Sequence, residues 1–146
     1  MENTTDKINS FFRFEDLRIY HKAIDFFDWV QQTISFFPED AKLTIGMPMS
    51  KAAQAIVINI AEGSARNKSQ FVYYLKMAKS AVRECVVYAT IAKTLHYISD
   101  ETDEEGRRQL MELTKMTGAL IASLQKAQLA SGQIDEKLSD DINFDD

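Results

Sequence analysis

Five basic side chains in the middle of the chain are the residues best suited to bind an anion: Lys51, Arg66, Lys68, Lys76 and Lys79. Lysine and arginine contact phosphate oxygens, and a cluster of them on one surface is typical of nucleic-acid-binding proteins. Residues 41–99 carry eight basic and two acidic side chains, a net charge of +6. One interpretation is an exposed patch that binds nucleic acid. The alternative is a solvated basic surface without a ligand.

A polar motif precedes the basic run. Asn59, Glu62 and Arg66 are three and four residues apart, so they share one face of a helix if the helix continues to Arg66. Glu62 can pair with Arg66, while Asn59 can bind the backbone or side chains of a neighbouring helix. Gly63 is a natural C-terminal stop for that helix. The structural interpretation is a polar network that fixes a turn between two helices.

The sequence offers little support for catalysis. Carboxylate-bridged dimetal bundles use Glu-x-x-His, but Arg18 precedes His21 by three residues and Lys93 precedes His96 by three. We expect Cys85 to be a small buried apolar residue and His96 to lie in the last turn of a helix. Phosphate-loop, nucleophile-elbow and dinucleotide motifs are absent from the sequence. The prediction is a non-enzymatic protein with no metal and no cofactor.

The net charge of −5 hides an uneven distribution. Residues 135–146 alone carry six acidic side chains against one basic, and residues 1–134 are neutral overall. The chain is therefore divided into an N-terminal arm at 1–13, a helical domain at 14–130 and an acidic tail at 131–146. Such a tail either folds back on the basic middle of its own chain or increases solubility.

Composition predicts the fold class. Five Gly and two Pro in 146 residues favour long helices over many short strands, and 45% hydrophobic content is enough for one buried core. The first ten residues, MENTTDKINS, lack the apolar stretch of a secretory signal. Uninterrupted apolar runs stay well short of the roughly 20 residues that span a bilayer. We expect a soluble, cytoplasmic, all-α protein with no membrane association.

The first predicted helix runs from Glu15 to Ile34 or Phe36. Its residues recur every three or four positions, which gives a main stripe of Leu17, Tyr20, Ile24, Phe27, Val30 or Gln31, and Ile34, with Ile19, Ala23, Phe26 and Trp29 beside it. Pro38 disfavours helical geometry at the preceding residue and so ends the helix. Residues 38–48 are the longest predicted connection.

Three further predicted helices run from Pro48 to Gly63, from Ser69 to Ser99, and from Thr102 to Leu129. Pro48 suits a first helical turn, where a missing N–H costs nothing. Thr102 and Glu105 form a capping box, in which each side chain accepts a hydrogen bond from the other's backbone N–H. Four helices with short connections predict an antiparallel up-and-down four-helix bundle.

The first and third predicted helices carry more apolar surface than one bundle needs. Val72, Met77, Val87 and Ile91 lie outside the main stripe of the third helix. A bundle helix buries an apolar face of about 100° or slightly more, so the surplus indicates further packing. We expect a homo-oligomer assembled through these two helices, with an unusually thick monomer core as the alternative.

A resemblance to a known family rests on several segments in a fixed order. They are Phe14-Glu15-Asp16-Leu17, Phe37-Pro38, Leu43, Ala52-Ala53, Asn59-Ile60-Ala61-Glu62-Gly63, Arg66, Tyr74-Leu75-Lys76-Met77-Ala78-Lys79, Glu84, and Leu95-His96-Tyr97-Ile98. Across about residues 12–127 the chain resembles the four-helix-bundle proteins encoded by intervening sequences within 23S ribosomal RNA genes.

The resemblance implies a left-handed up-and-down bundle and, by analogy with related proteins, a ring-shaped homopentamer. A similar bundle is the accessory protein of diversity-generating retroelements, which implies RNA or a nucleoprotein as a partner. Two hypotheses follow: an oligomeric bundle that binds nucleic acid or a nucleoprotein through residues 41–99, and an oligomeric protein–protein scaffold with no nucleic-acid role.

Overall fold

The computed structural model of the chain describes residues 4–132, and these form helices with no strand among them. The α-helices are α1 (Thr4–Phe11), α2 (Arg18–Ile34), α3 (Glu39–Ala41), α4 (Met47–Ser64), α5 (Lys68–Thr94) and α6 (Asp100–Ser131). Four of them, α2, α4, α5 and α6, are long, which confirms the predicted all-α class. α1 occupies most of the predicted arm, and the predicted acidic tail lies outside the described residues from position 133 onward.

The core of α2 differs from the predicted stripe. Ile19, Ala23, Phe26 and Val30 are buried, whereas Ile24 of the predicted main stripe is exposed. This side of α2 faces α6, because Trp29 lies against Gly106 of α6. The Phe26 ring stacks on the Trp29 ring of the same helix, with centroids 5.6 Å apart. The residues predicted to lie beside the main stripe of this helix are therefore buried more deeply than the stripe itself.

The predicted start of the first helix at Glu15 is wrong. Arg13–Asp16 form a single 3-10 turn, and Leu17 is extended before α2 begins at Arg18. The turn brings the Phe14 ring to 5.1 Å from the Tyr20 ring, in an edge-on contact. Part of the surplus aromatic surface of α2 is thus covered by the residues that precede it.

The predicted connection at 38–48 is also wrong, because residues 39–48 are helical. α3 continues through a π turn at Lys42–Gly46 into α4. The backbone N–H of Met47 donates to the carbonyl of Lys42, five residues earlier. A proline inside a regular helix clashes with the preceding turn, and a π turn widens the backbone where Pro48 enters. Two prolines therefore bracket a distorted helix, not a loop.

The helix end near His96 differs from the prediction. α5 ends at Thr94 instead of Ser99, and His96 lies beyond it with φ of 62°. His96 and Tyr97 donate backbone hydrogen bonds to Lys93 and Ala92, at 3.0 and 2.8 Å, which is the Schellman pattern. The Tyr97 ring then packs on Phe37, with centroids 5.5 Å apart. The sequence lacks the glycine that normally signals such an end.

Because His96 has a left-handed backbone conformation, glycine at this position is expected to stabilise the fold. A residue with a Cβ pays about 1 kcal/mol there, so His96→Gly should raise the free energy of unfolding by up to that amount. His96→Ala keeps the Cβ and serves as the control, with no gain expected. Thermal unfolding of both variants at one protein concentration measures the difference, and equal melting temperatures would contradict this account.

The N-cap of α6 lies three residues earlier than predicted. Ser99 is the N-cap, and its Oγ accepts a hydrogen bond from the backbone N–H of Thr102 at 3.1 Å. Thr102 is therefore inside the first turn, and the predicted capping box of Thr102 and Glu105 is wrong. Two potential caps three residues apart made the start ambiguous in sequence, since both serine and threonine accept from a helix N-terminus.

Polar contacts between side chains join the long helices. Ser69 near the start of α5 meets Gln128 near the end of α6, and Thr90 near the end of α5 accepts from Arg107 near the start of α6. On α2, Lys22 pairs with Glu112 of α6 at 3.1 Å, and Gln31 donates to Ser50 of α4 at 2.6 Å. Within residues 4–132, every helix is too short or too polar to cross a membrane.

Candidate nucleic-acid interface

The positive charge of the described chain is concentrated on α5. This helix carries five basic residues and the single acid Glu84, a net charge of +4. Three of the basic residues, Lys68, Lys79 and Arg83, lie on one side of the helix, because their spacing repeats that of helical turns. Lys68 and Arg83 are exposed and Lys79 is half-buried.

The five predicted contacts do not form one cluster along the helices. Arg66 and Lys68 meet at the turn between α4 and α5. Lys51 is exposed on α4, about 20 Å along the helix from that turn at 1.5 Å per residue, and Lys79 is roughly 16 Å away along α5. The structure thus brings Arg66 and Lys68 together and keeps Lys51 apart from them.

Lys76 does not fit the prediction of an exposed patch. Its residue is 6% exposed, although Tyr73, Met77 and Arg83 around it on α5 are exposed. Its neighbour one turn earlier, Val72, is also buried. Sequence could not show this, since the spacing of Lys76 places it on the outward side of α5.

The predicted pair of Glu62 and Arg66 is confirmed. The Arg66 guanidinium donates to the Glu62 carboxylate at 2.8 Å, and its carbon lies 5.5 Å from the centroid of the Tyr74 ring. The hydrogen bond to Glu62, and then the interaction with Tyr74, raise the pKa of Arg66. Arg66 is thus held at the turn, and its guanidinium stays positively charged.

The remaining members of the polar motif act differently from the prediction. Asn59 donates to the backbone carbonyl of Ala55 on its own helix, at 2.8 Å. Gly63 is not the helix end, because α4 continues to Ser64. A Cβ on Gly63 would lie 2.6 Å from the Cβ of Tyr74 and 2.9 Å from the Phe71 ring. Gly63 is therefore required for the close approach of α5 to α4 at the turn.

A buried carboxylate near the start of α6 was missed in sequence. Asp103 is 2% exposed, and its Oδ2 accepts from Arg107 Nε at 2.9 Å and lies 3.8 Å from Lys93 Nζ. Arg107 also donates to Thr90, so the cluster ties α6 to the end of α5. The spacing of Asp103 and Arg107, four residues apart, was the available signal, but this segment was interpreted only as the capping box of Thr102 and Glu105.

An acidic groove lies between α2 and α6. It has a volume of about 370 Å³ and is lined by Lys22, Asp25, Asp28, Trp29, Gln32, Glu105, Gln109 and Glu112. Four of these side chains are acidic and one is basic. The surface of the domain thus has a positive side along α5 and a negative groove between α2 and α6.

Groups that could act chemically are sparse in the described part of the chain. Cys85 is fully buried, and burial raises the pKa of its thiol to about 12, so the thiolate is not populated near neutral pH. This confirms the prediction of a small buried apolar residue. Across residues 4–132, His, Cys, Asp and Glu side chains form no group of three that could hold a metal ion.

Comparison with known proteins supports the assignment made from the ordered motifs. A search of curated proteins finds no matching relative. The profile of one family, described as 23S rRNA-intervening sequence protein, matches residues 15–119. That range contains the turn between α4 and α5, the basic side of α5 and the first part of α6. The chain belongs to the 23S rRNA-intervening sequence protein family.

Proposed function

We propose that this protein is a non-enzymatic, homo-oligomeric helical bundle that binds RNA or a nucleoprotein through the basic side of α5. The observation that carries the proposal is the net charge of +4 on α5, with Lys68, Lys79 and Arg83 on one side. Phosphate contacts are sequence-independent, so a positively charged helix side of this kind suits a structured RNA backbone.

The proposal includes an antiparallel up-and-down arrangement of the four long helices. The contacts of Ser69 with Gln128 and of Thr90 with Arg107 support opposite directions for α5 and α6. From the first contact to the second, the residue number rises along α5 and falls along α6. Such a bundle places the α4–α5 turn and the end of α6 together. The cytoplasmic location expected from the sequence is part of the same proposal.

The homo-oligomer is supported by exposed apolar side chains on α4 and α5. Met47, Ile58, Met77 and Val87 are all exposed, on the outward sides of these two helices. This surface differs from the one expected in sequence, because α2 exposes only Ile24 among its large apolar residues. The resemblance to related bundle proteins that form ring-shaped pentamers favours a pentamer. Light scattering at micromolar concentration is expected to give a multiple of 16.6 kDa, and a mass equal to one chain would contradict the homo-oligomer.

A second candidate function is a protein–protein scaffold without a nucleic-acid role. The acidic groove between α2 and α6, with Asp25, Asp28, Glu105 and Glu112, favours a basic protein surface as its ligand. The basic side of α5 on another copy fits that description. In this case the positive charge of α5 serves assembly, and assembly should weaken as salt rises.

Removing the basic side chains of α5 tests the RNA proposal directly. The triple variant Lys68→Gln, Lys79→Gln, Arg83→Gln is expected to bind a fluorescein-labelled RNA hairpin about 100-fold more weakly, at ~1 kcal/mol for each lost charge-assisted hydrogen bond. The matched control is Lys115→Gln, Lys126→Gln, Arg108→Gln, which removes three charges from α6. An equal loss of RNA affinity in both variants would mean that the RNA is attracted only by the overall positive charge. That result would contradict a specific binding surface on α5.

A further inference from the structure

A row of aromatic rings precedes α2, and the first two rings are exposed to solvent. Phe11 and Phe12 are 75% and 52% exposed, and their ring centroids are 5.1 Å apart. The row continues from Phe12 to Phe14 at 6.2 Å and from Phe14 to Tyr20 at 5.1 Å. His21 ends the row, with its ring 5.7 Å from that of Tyr20. Phe11 and Phe12 thus present apolar ring surface to solvent, while the inner rings hold the row against α2.

Basic side chains alternate with these rings along the chain. Arg13 follows Phe12 directly, Arg18 begins α2, and both arginines are exposed. Residues 7–22 carry four basic and two acidic side chains, a net charge of +2. Interleaved aromatic and basic residues suit single-stranded nucleic acid, because each base has a face that can stack and each phosphate carries a negative charge. A guanidinium group can bind a phosphate and can also stack on a base.

The row lies at the same end of the domain as the turn between α4 and α5. Gln31 near the end of α2 donates to Ser50 near the start of α4, and Ile34 lies against Gly46 just before α4. These contacts support opposite directions for α2 and α4, so the start of α2 is level with the end of α4. The 3-10 turn that precedes α2 also contacts α4. The exposed rings are therefore close to the end of the domain where the basic side of α5 begins at Lys68.

We propose that Phe11 and Phe12 form a stacking platform for unpaired bases of an RNA. The bases stack on the two exposed rings, and the phosphates on either side of them bind Arg13 and Arg18. An RNA hairpin with a single-stranded tail then occupies the stacking platform and the basic side of α5 together. Phosphate contacts on α5 do not distinguish paired from unpaired bases, whereas the stacking platform does. The choice of RNA as the ligand rests on the proposed function.

Two forms of one RNA test whether the protein binds bases. Both contain the fluorescein-labelled hairpin and a short single-stranded tail, which is made of adenosines in one form and of abasic nucleotides in the other. The phosphates are the same, so a difference in affinity comes from the bases. We expect the protein to bind the adenosine form about tenfold more tightly, a gain within the range for one stacked base. Equal affinities for the two forms would overturn the stacking platform and leave the proposed function intact.

Alanine at both exposed rings tests whether these rings are the ones that stack. The double variant Phe11→Ala, Phe12→Ala should lose the preference for the adenosine form and keep its affinity for the abasic form. Phe36→Ala is the matched control and should keep the preference, because Phe36 is 84% exposed and lies beyond the other end of α2. A double variant that keeps the preference would overturn the proposal. So would a change in its mass by light scattering, because the rings would then cover a second copy of the chain.

Photo-cross-linking of the full-length protein locates the bound base. A 4-thiouridine in the tail forms a covalent bond with a side chain in contact with it on irradiation, and mass spectrometry identifies the joined peptide. Trypsin cleaves after Lys7 and Arg13, so we expect the cross-link on the peptide of residues 8–13. Cross-links found only on other peptides would overturn the stacking platform. If neither form of the RNA binds, the proposed function and the stacking platform both fail.

Discussion

Alanine at Gly63 is expected to lower the free energy of unfolding by about 2 kcal/mol, despite the better helix propensity of alanine. The new Cβ would lie 2.6 Å from the Tyr74 Cβ, an atom fixed to the α5 backbone. α4 and α5 must therefore separate at the turn that holds Arg66 and Lys68. Because that turn is part of the proposed interface, the variant should also bind RNA more weakly.

Gly118→Ala is the matched control, with the opposite sign expected. Gly118 lies inside α6, and an added Cβ has nothing within 4 Å, so only the gain in helix propensity of about 1 kcal/mol applies. Denaturant unfolding of both variants at one protein concentration measures the two changes, since concentration affects the apparent stability of an oligomer. Destabilisation by both substitutions, or by neither, would contradict the close approach at Gly63.

Arg107→Gln is expected to be the most damaging surface substitution, with a loss of about 3 kcal/mol. Asp103 is buried, and its Oδ1 has no hydrogen-bond partner, so the ion pair of Oδ2 with Arg107 is the main compensation for a buried negative charge. Lys93 at 3.8 Å compensates only in part. The substitution also removes the hydrogen bond to Thr90, which weakens the contact between α5 and α6.

Arg108→Gln provides the control for this prediction, because Arg108 is the exposed neighbour on the same helix. Its expected change lies within about 0.5 kcal/mol of zero. The double variant Asp103→Asn, Arg107→Gln should be more stable than Arg107→Gln alone, since it removes the buried charge. If Arg107→Gln and Arg108→Gln unfold at the same denaturant concentration, Asp103 does not depend on Arg107.

The fold class and the four long helices were predictable, because apolar residues recur at helical spacing along each one. The helix ends were not, because they depend on packing and on residues with more than one possible role. Pro48 and Gly46 read as a loop, yet a π turn accommodates the proline and Gly46 packs against Ile34. Ser99 and Thr102 are both good caps, and only the structure shows that Ser99 is used.

The basic middle of the chain was also predictable, since charge is read directly from the sequence. The exposure of each basic side chain was not predictable. Lys76 is buried on the side of α5 where spacing predicts exposure, and Gly63 acts through a contact with Tyr74 instead of ending a helix. The ion pair of Asp103 and Arg107 was missed because the burial of Asp103 depends on tertiary packing, which helical spacing alone does not reveal.

The salt dependence of RNA binding tests the central claim most directly. For the full-length protein, the logarithm of the association constant should fall linearly with the logarithm of salt concentration, between ~50 and ~200 mM. Removal of Lys68, Lys79 and Arg83 by the triple glutamine substitution should reduce the magnitude of that slope by roughly 2 to 3, because fewer counterions are released when three phosphate contacts are lost. A slope that the substitutions leave unchanged, or no binding of the hairpin at low salt, would contradict a role of α5 in binding RNA.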